Sequence, residues 1–164
     1  MSRWPIGERT VTYLLERGRL EDLGDTDLEA AAGVALARAQ RRLRTAAAGL
    51  DADDPDGAYA AAYDAYRMAA EALLVRQGLR ASGGDGSHVT VEDAIGAQFS
   101  DRISAFAKPT FERLRRTRHR AQYFDPSAPP IEPDDAQWAV QLSSRAVQDT
   151  ALLLDTNPPG RFTE

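Results

Sequence analysis

A chain of 164 residues, 43% hydrophobic and 27% charged, is long enough to bury a real core in one domain. It has no cysteine, which excludes disulfides and thiolate metal sites, and a formal net charge of −5, which opposes unspecific attraction to nucleic acid. The longest apolar run, residues 30–37, falls far short of the ~20 residues that span a bilayer, and MSRWPIGERT has no apolar signal core. The expectation is a soluble cytoplasmic protein without membrane association.

Apolar spacing is helical almost throughout, and no alternating run is long enough for a strand. A first helix is predicted over 8–17, stopped by Gly18. A second, over 26–48, starts at Thr26-Asp27-Leu28-Glu29, a capping-box pattern, and stops at Gly49. DADDPDG (51–57) reads as a linker and residues 56–77 as a third helix. After the flexible loop ASGGDGSH (81–88), Thr90-Val91-Glu92-Asp93 caps a fourth helix running to Phe106. Pro109 opens a fifth, ending near Tyr123, because proline suits the first turn. DPSAPPIEP is an extended connection, residues 134–154 a sixth helix, and NPPGRFTE a tail. The predicted architecture is all-α: one domain over 1–164, an antiparallel bundle of five to six helices. No internal repeat points to a solenoid.

Two loops imitate functional motifs without meeting their requirements. DADDPDG has proline and aspartate where a calcium loop turns, and Ala62 where its closing glutamate belongs. SGGDGSH lacks the G-K-[ST] of a phosphate loop, so His88 reads as a loop residue rather than a ligand. Two histidines without a patterned acidic partner give no metal site, and no cofactor is expected.

On a helical wheel the third helix puts Tyr59, Tyr63, Tyr66, Ala70, Leu73, Leu74 and Gln77 on one side, a core stripe. Asp64, Arg67 and Glu71 flank it as a charged stripe. The fifth helix concentrates basic residues: RRTRHRAQYFD (115–125), with Arg113 just upstream, holds five arginines within eight residues. Arg113, Arg116 and Arg120 form a solvated ridge, and Arg115, His119 and Tyr123 run along its border. Arg118 shares the apolar face with Phe111, Leu114 and Ala121. A guanidinium there either snorkels to water or is paired, and the candidate partners are Asp64 and Glu71, then the hydroxyls of Tyr63 and Tyr66. Arginine, imidazole and phenol side by side suit phosphate binding and proton movement.

The third helix (AAYDAYRMAAEALLVRQGL), a loop with His88 and a later helix ending R-H-x-A-x-Y resemble the HEPN superfamily, in particular compact actinobacterial members, over about residues 56–155. Lys108 as the only lysine fits a GC-rich coding sequence of that kind. The first two helices are then an extension packed on that core or part of the bundle. The resemblance implies a homodimer and a metal-independent ribonuclease motif of arginine, a polar residue and a later histidine. It also admits RNA or nucleotide binding, and pairing with a nucleotidyltransferase in toxin–antitoxin systems. Arg118 matches the motif arginine and His119 the polar position, but residues 123–125 are Tyr123, Phe124 and Asp125 in place of the histidine. A phenol with pKa near ~10 is a poor base at neutral pH.

The resulting expectation is a HEPN-type module, non-catalytic or weakly catalytic, that binds RNA, a nucleotide or a protein partner. Its candidate catalytic set is Arg118, His119 and Tyr123, and its candidate ligand-binding set Arg115, Arg116, Arg120 and Tyr63. The alternatives are an active toxin-like ribonuclease using Arg118 and His119, and a helical adaptor without ligand.

Overall fold

The computed structural model describes residues 3–163. Its elements in chain order are α1 (Glu8–Glu16), β1 (Leu20–Asp22), α2 (Leu28–Asp51), α3 (Pro55–Arg76), β2 (Leu79–Ala81), α4 (Ser87–Phe99), a 3-10 turn (Ser104–Phe106), α5 (Lys108–Gln122) and α6 (Pro133–Thr156). The fold is a helical bundle, as the spacing predicts. Helix α3 lies at its centre and packs against α2, α6, α5 and α4, while α1 packs on α4.

The central place of α3 follows from its composition. Thirteen of its residues are buried, alanines on most sides and Tyr59, Tyr63 and Tyr66 between them. The alanines let neighbouring helices approach closely, and the tyrosines fill the wider gaps. Tyr66 stands edge-on to Phe106 and Phe111, at centroid distances of 5.1 and 4.8 Å, and donates its hydroxyl to the Ala105 carbonyl at 2.6 Å. Helix α2, packed on α3 and α6, buries Ala32, Ala39 and Ala46, small residues seven apart, with Leu36, Leu43 and Leu50 partly buried beside them.

Several boundaries differ from the sequence reading. Helix α2 runs through Gly49 to Asp51, so this glycine is not a stop. A Cβ there would lie 2.9 Å from the Ala58 nitrogen and 3.0 Å from its Cα, so Gly49 is where the two helix backbones touch. The linker shrinks to a tight turn: Asp53 has φ 58° and Asp54 caps α3 by accepting from the Gly57 amide at 2.9 Å. Asp27, not Thr26, caps α2, accepting from the Ala30 amide at 3.0 Å. Helix α4 starts at Ser87, behind Gly86 in a left-handed conformation with φ 87°, so His88 sits in the first turn of a helix rather than in a loop. It ends at Phe99, and Ser104–Phe106 forms the separate 3-10 turn.

Two three-residue strands, which periodicity is too short to reveal, form an antiparallel ribbon that sets Glu21 opposite Arg80. The C-terminal segment is no free tail. Phe162 is buried beneath the Arg3 guanidinium, 3.9 Å from its centroid, and its amide donates to the Gln77 carbonyl. Arg161 reaches Asp22 at 2.7 Å.

Two glycines of α2 give opposite expectations. Gly33 has open space around it, so Gly33→Ala should raise stability by up to ~1 kcal/mol through helix propensity. Gly49→Ala should lower it, because the Ala58 backbone must move. Urea melts of the two variants side by side give the signs.

Candidate functional site: the arginine face of α5

The basic residues of α5 separate into an inner network and an outer edge. The inner network lies where α3, α4 and α5 meet. Arg118 reaches Asp64 with Nη2 to Oδ1 at 3.4 Å, and its guanidinium stands 5.5 Å from the Tyr63 ring centroid. Arg115 donates from Nε to Glu92 at 2.8 Å, and Glu92 is only 2% exposed. Glu71 pairs with Arg67 at 3.0 Å rather than with Arg118. Burial raises the Glu71 carboxyl above its ordinary range, while Arg67 and Arg38 pull it back.

His88 closes this network. Arg67 Nη1 lies 3.0 Å from its Nε2, and its Nδ1 lies 2.7 Å from the Tyr63 hydroxyl, with the two rings stacked at 5.7 Å. A guanidinium only donates, so Nε2 is the acceptor, and in the neutral ring Nδ1 carries the proton and donates to Tyr63. Burial, then the charges of Arg67, Arg118 and Arg115, push the His88 pKa down to about 4. Burial likewise raises the Tyr63 phenol above its ordinary value.

Three guanidinia therefore face three carboxylates around a neutral imidazole. The charges cancel, which leaves little field for an additional anion. The Nε of Arg67 and of Arg118 are enclosed without an acceptor, an omission that costs about 1–3 kcal/mol each. Such a network fixes how three helices sit together more than it adds to stability. Tyr63, expected among the ligand-binding residues, is fully buried.

The outer edge is different. Arg116 pairs with Glu112 one turn earlier at 2.5 Å but remains 72% exposed. Arg113, expected on a bare ridge, lies over the Trp138 ring at 4.0 Å. His119 and Arg120 are exposed, and neither forms an ion pair among the described residues. The His119 ring touches that of Tyr123 at a centroid distance of 4.9 Å. Tyr123 is 57% exposed and Phe124 94%, at the point where α5 ends and the chain becomes extended. Behind them lies a groove of about 530 Å³ lined by Arg120, Phe124, Asp125 and the prolines of the connection.

The structure thus separates Arg118 from His119 and Tyr123: the first turns inward to Asp64, the other two outward to solvent. Arg67, His88 and Glu92, which the sequence reading left out of the candidate site, join it. The available signal was the i, i+4 spacing of His88 and Glu92, which aligns them on one face only once α4 is known to begin at Ser87. Among the described residues no three His, Asp or Glu side chains converge as a metal set, and no helix is long and apolar enough to cross a membrane. Comparison with protein-family models, curated proteins and solved structures finds no match for this chain.

Two measurements examine the network. Arg115→Met leaves the Glu92 carboxylate buried without its partner and should cost ~3–5 kcal/mol, whereas Arg116→Met should stay within about 0.5 kcal/mol. Equilibrium urea unfolding compares them. For His88, the unfolded ring takes a proton near 6.5 and the folded ring only near about 4. The unfolded state therefore binds more protons in that window, and stability should fall as pH drops through it and be indifferent to His88 above it. Urea midpoints of the wild type should fall more steeply between pH 6.5 and 4 than those of His88→Gln.

Proposed function

We propose that this chain is a HEPN-type module that binds single-stranded RNA or a nucleotide at the exposed end of α5, in the cytoplasm, without efficient catalysis. The observation that carries this reading is the pair of exposed aromatic rings, Tyr123 and Phe124, beside the exposed His119 imidazole and the Arg120 guanidinium, which forms no ion pair among the described residues. Bases stack on exposed rings, and neighbouring cations hold the phosphates. In a chain with net charge −5, that combination is confined to a local patch, which is what a defined contact requires. The inner network serves this edge by fixing the angle of α5.

The weak-catalysis part rests on two features. Tyr123 stands where the motif histidine of the family would be, and Arg118, the motif arginine, is held by Asp64 away from His119. A metal-independent cleavage needs a base and a phosphate-binding cation on the same side of the scissile bond. The same exposed rings favour a second reading, a seam between two copies of the chain, because apolar surface of this kind is usually covered. Pairing with a nucleotidyltransferase in a toxin–antitoxin system, in an actinobacterial setting, remains the wider context that the family resemblance suggests.

Fluorescence anisotropy with a labelled oligoribonucleotide should show salt-dependent binding, and Phe124→Ser should weaken it by ~5-fold or more, since a stacked base is worth ~1–3 kcal/mol. Equal binding by the variant would remove the stacking role. Light scattering on the same two proteins separates the alternatives: a wild-type dimer that falls apart in Phe124→Ser would assign the rings to the seam. Incubated with RNA, the protein should cut slowly or not at all; robust cleavage lost in His119→Ala would instead make His119 the base.

A further inference from the structure

Helix α2 carries a second basic surface, apart from that of α5. Between Glu29 and Asp51 it contains no acidic residue, yet it holds Arg38, Arg41, Arg42 and Arg44. All four are exposed, and none forms an ion pair among the described residues. The buried line of Ala32, Ala39 and Ala46 fixes the orientation of the helix. At ~100° per residue, Arg41 and Arg44 then point away from that buried line, Arg38 stands roughly at a right angle to it, and Arg42 lies nearest it on the same side as Arg38.

This is not how a merely solvated helix is usually built. Such faces interleave Glu with Arg at i, i+4, as Glu112 and Arg116 do on α5. On α2, Arg38 and Arg42 repel each other at i, i+4, as do Arg38 with Arg41 and Arg41 with Arg44 at i, i+3. The Arg38 charge reaches Glu71 on α3, where, after Arg67, it draws the carboxyl back down against the rise caused by burial. Glu71 in turn pairs with Arg67 of the inner network, so the α2 stripe adjoins the charged side of α3 on which Arg118 also lies.

We infer that Arg38, Arg41, Arg42 and Arg44 form a phosphate-backbone contact for RNA, separate from the aromatic end of α5. The α2 stripe has no ring to stack a base and no buried polar group to read one. Its contribution is therefore sequence-independent and salt-sensitive, whereas the α5 edge contributes stacking. This inference rests on the RNA-binding reading and adds the surface that supplies most of its electrostatic affinity.

The test is the salt dependence of oligoribonucleotide binding, measured by anisotropy between 50 and 200 mM salt, for wild type, Phe124→Ser and the triple variant Arg41→Gln, Arg42→Gln, Arg44→Gln. Glutamine is a good helix former and the three side chains are exposed, so the triple variant should keep the wild-type far-UV CD spectrum and melting midpoint. Each phosphate contact contributes a slope of about −0.7 in log K against log salt for a single strand, so the triple variant should lose about two units of slope. Phe124→Ser should weaken binding at every salt concentration with the slope unchanged. An unchanged slope in the triple variant, while the wild type still binds, would overturn the α2 contact and leave the α5 reading standing. Loss of binding in the triple variant alone, with Phe124→Ser indistinguishable from wild type, would support α2 and remove α5. Absence of binding by wild type would remove both, and selective binding of the stripe to phosphatidylserine vesicles would reassign it to a lipid surface.

Discussion

The burial of α3 is the constraint on which the rest of the structure depends. A helix surrounded by neighbours must be small where they come close and large where they do not, and it must still place its few charges at an edge. Helix α3 does this with alanines facing the packed helices, tyrosines filling the gaps, and Asp64, Arg67 and Glu71 confined to one stripe. The contact of Gly49 with the Ala58 backbone shows how close the approach on the α2 side is. On the other side, Tyr66 locks the 3-10 turn and α5 through two ring contacts and one hydrogen bond.

Because the charged stripe of α3 is half-enclosed, whatever packs over it must answer its charges. Helix α5 supplies Arg118 and Arg115, and α4 supplies His88 and Glu92. The result is a balanced set of ion pairs around an imidazole whose acceptor nitrogen is occupied by Arg67. Adding a proton there would set two donors against each other, which is the physical content of its lowered pKa. The same balance explains why the inner arginines make poor anion receptors. Outside it, Arg120 at the end of α5 and Arg38, Arg41, Arg42 and Arg44 along α2 form no ion pair among the described residues.

These two outer surfaces differ in chemistry. The end of α5 combines the Arg120 guanidinium and the His119 imidazole with exposed rings and a groove, which suits a base or nucleotide. The α2 stripe offers charge alone, which suits a backbone. In a chain with an acidic balance, attraction to a polyanion has to come from local basic surface such as these two.

The sequence by itself determined the helical class, the order of the six helices, the core stripe of tyrosines and the division of α5 into faces, because each rests on the 3.6-residue period. It also placed Asp64 beside the stripe, within reach of a neighbouring helix. It could not show the β1–β2 ribbon, whose three-residue strands meet across more than fifty residues of chain. Nor could it show that Gly49 is a contact rather than a stop, or that Phe162 returns to the core, since both depend on a distant partner. His88 is the clearest case. Its position in the sequence is that of a loop residue, and only the left-handed turn at Gly86, which starts α4 early, brings its ring between Tyr63 and Arg67. Which arginines are spent on carboxylates and which remain free was likewise decided by packing, because one helix face looks the same in sequence whether a carboxylate or water stands opposite it.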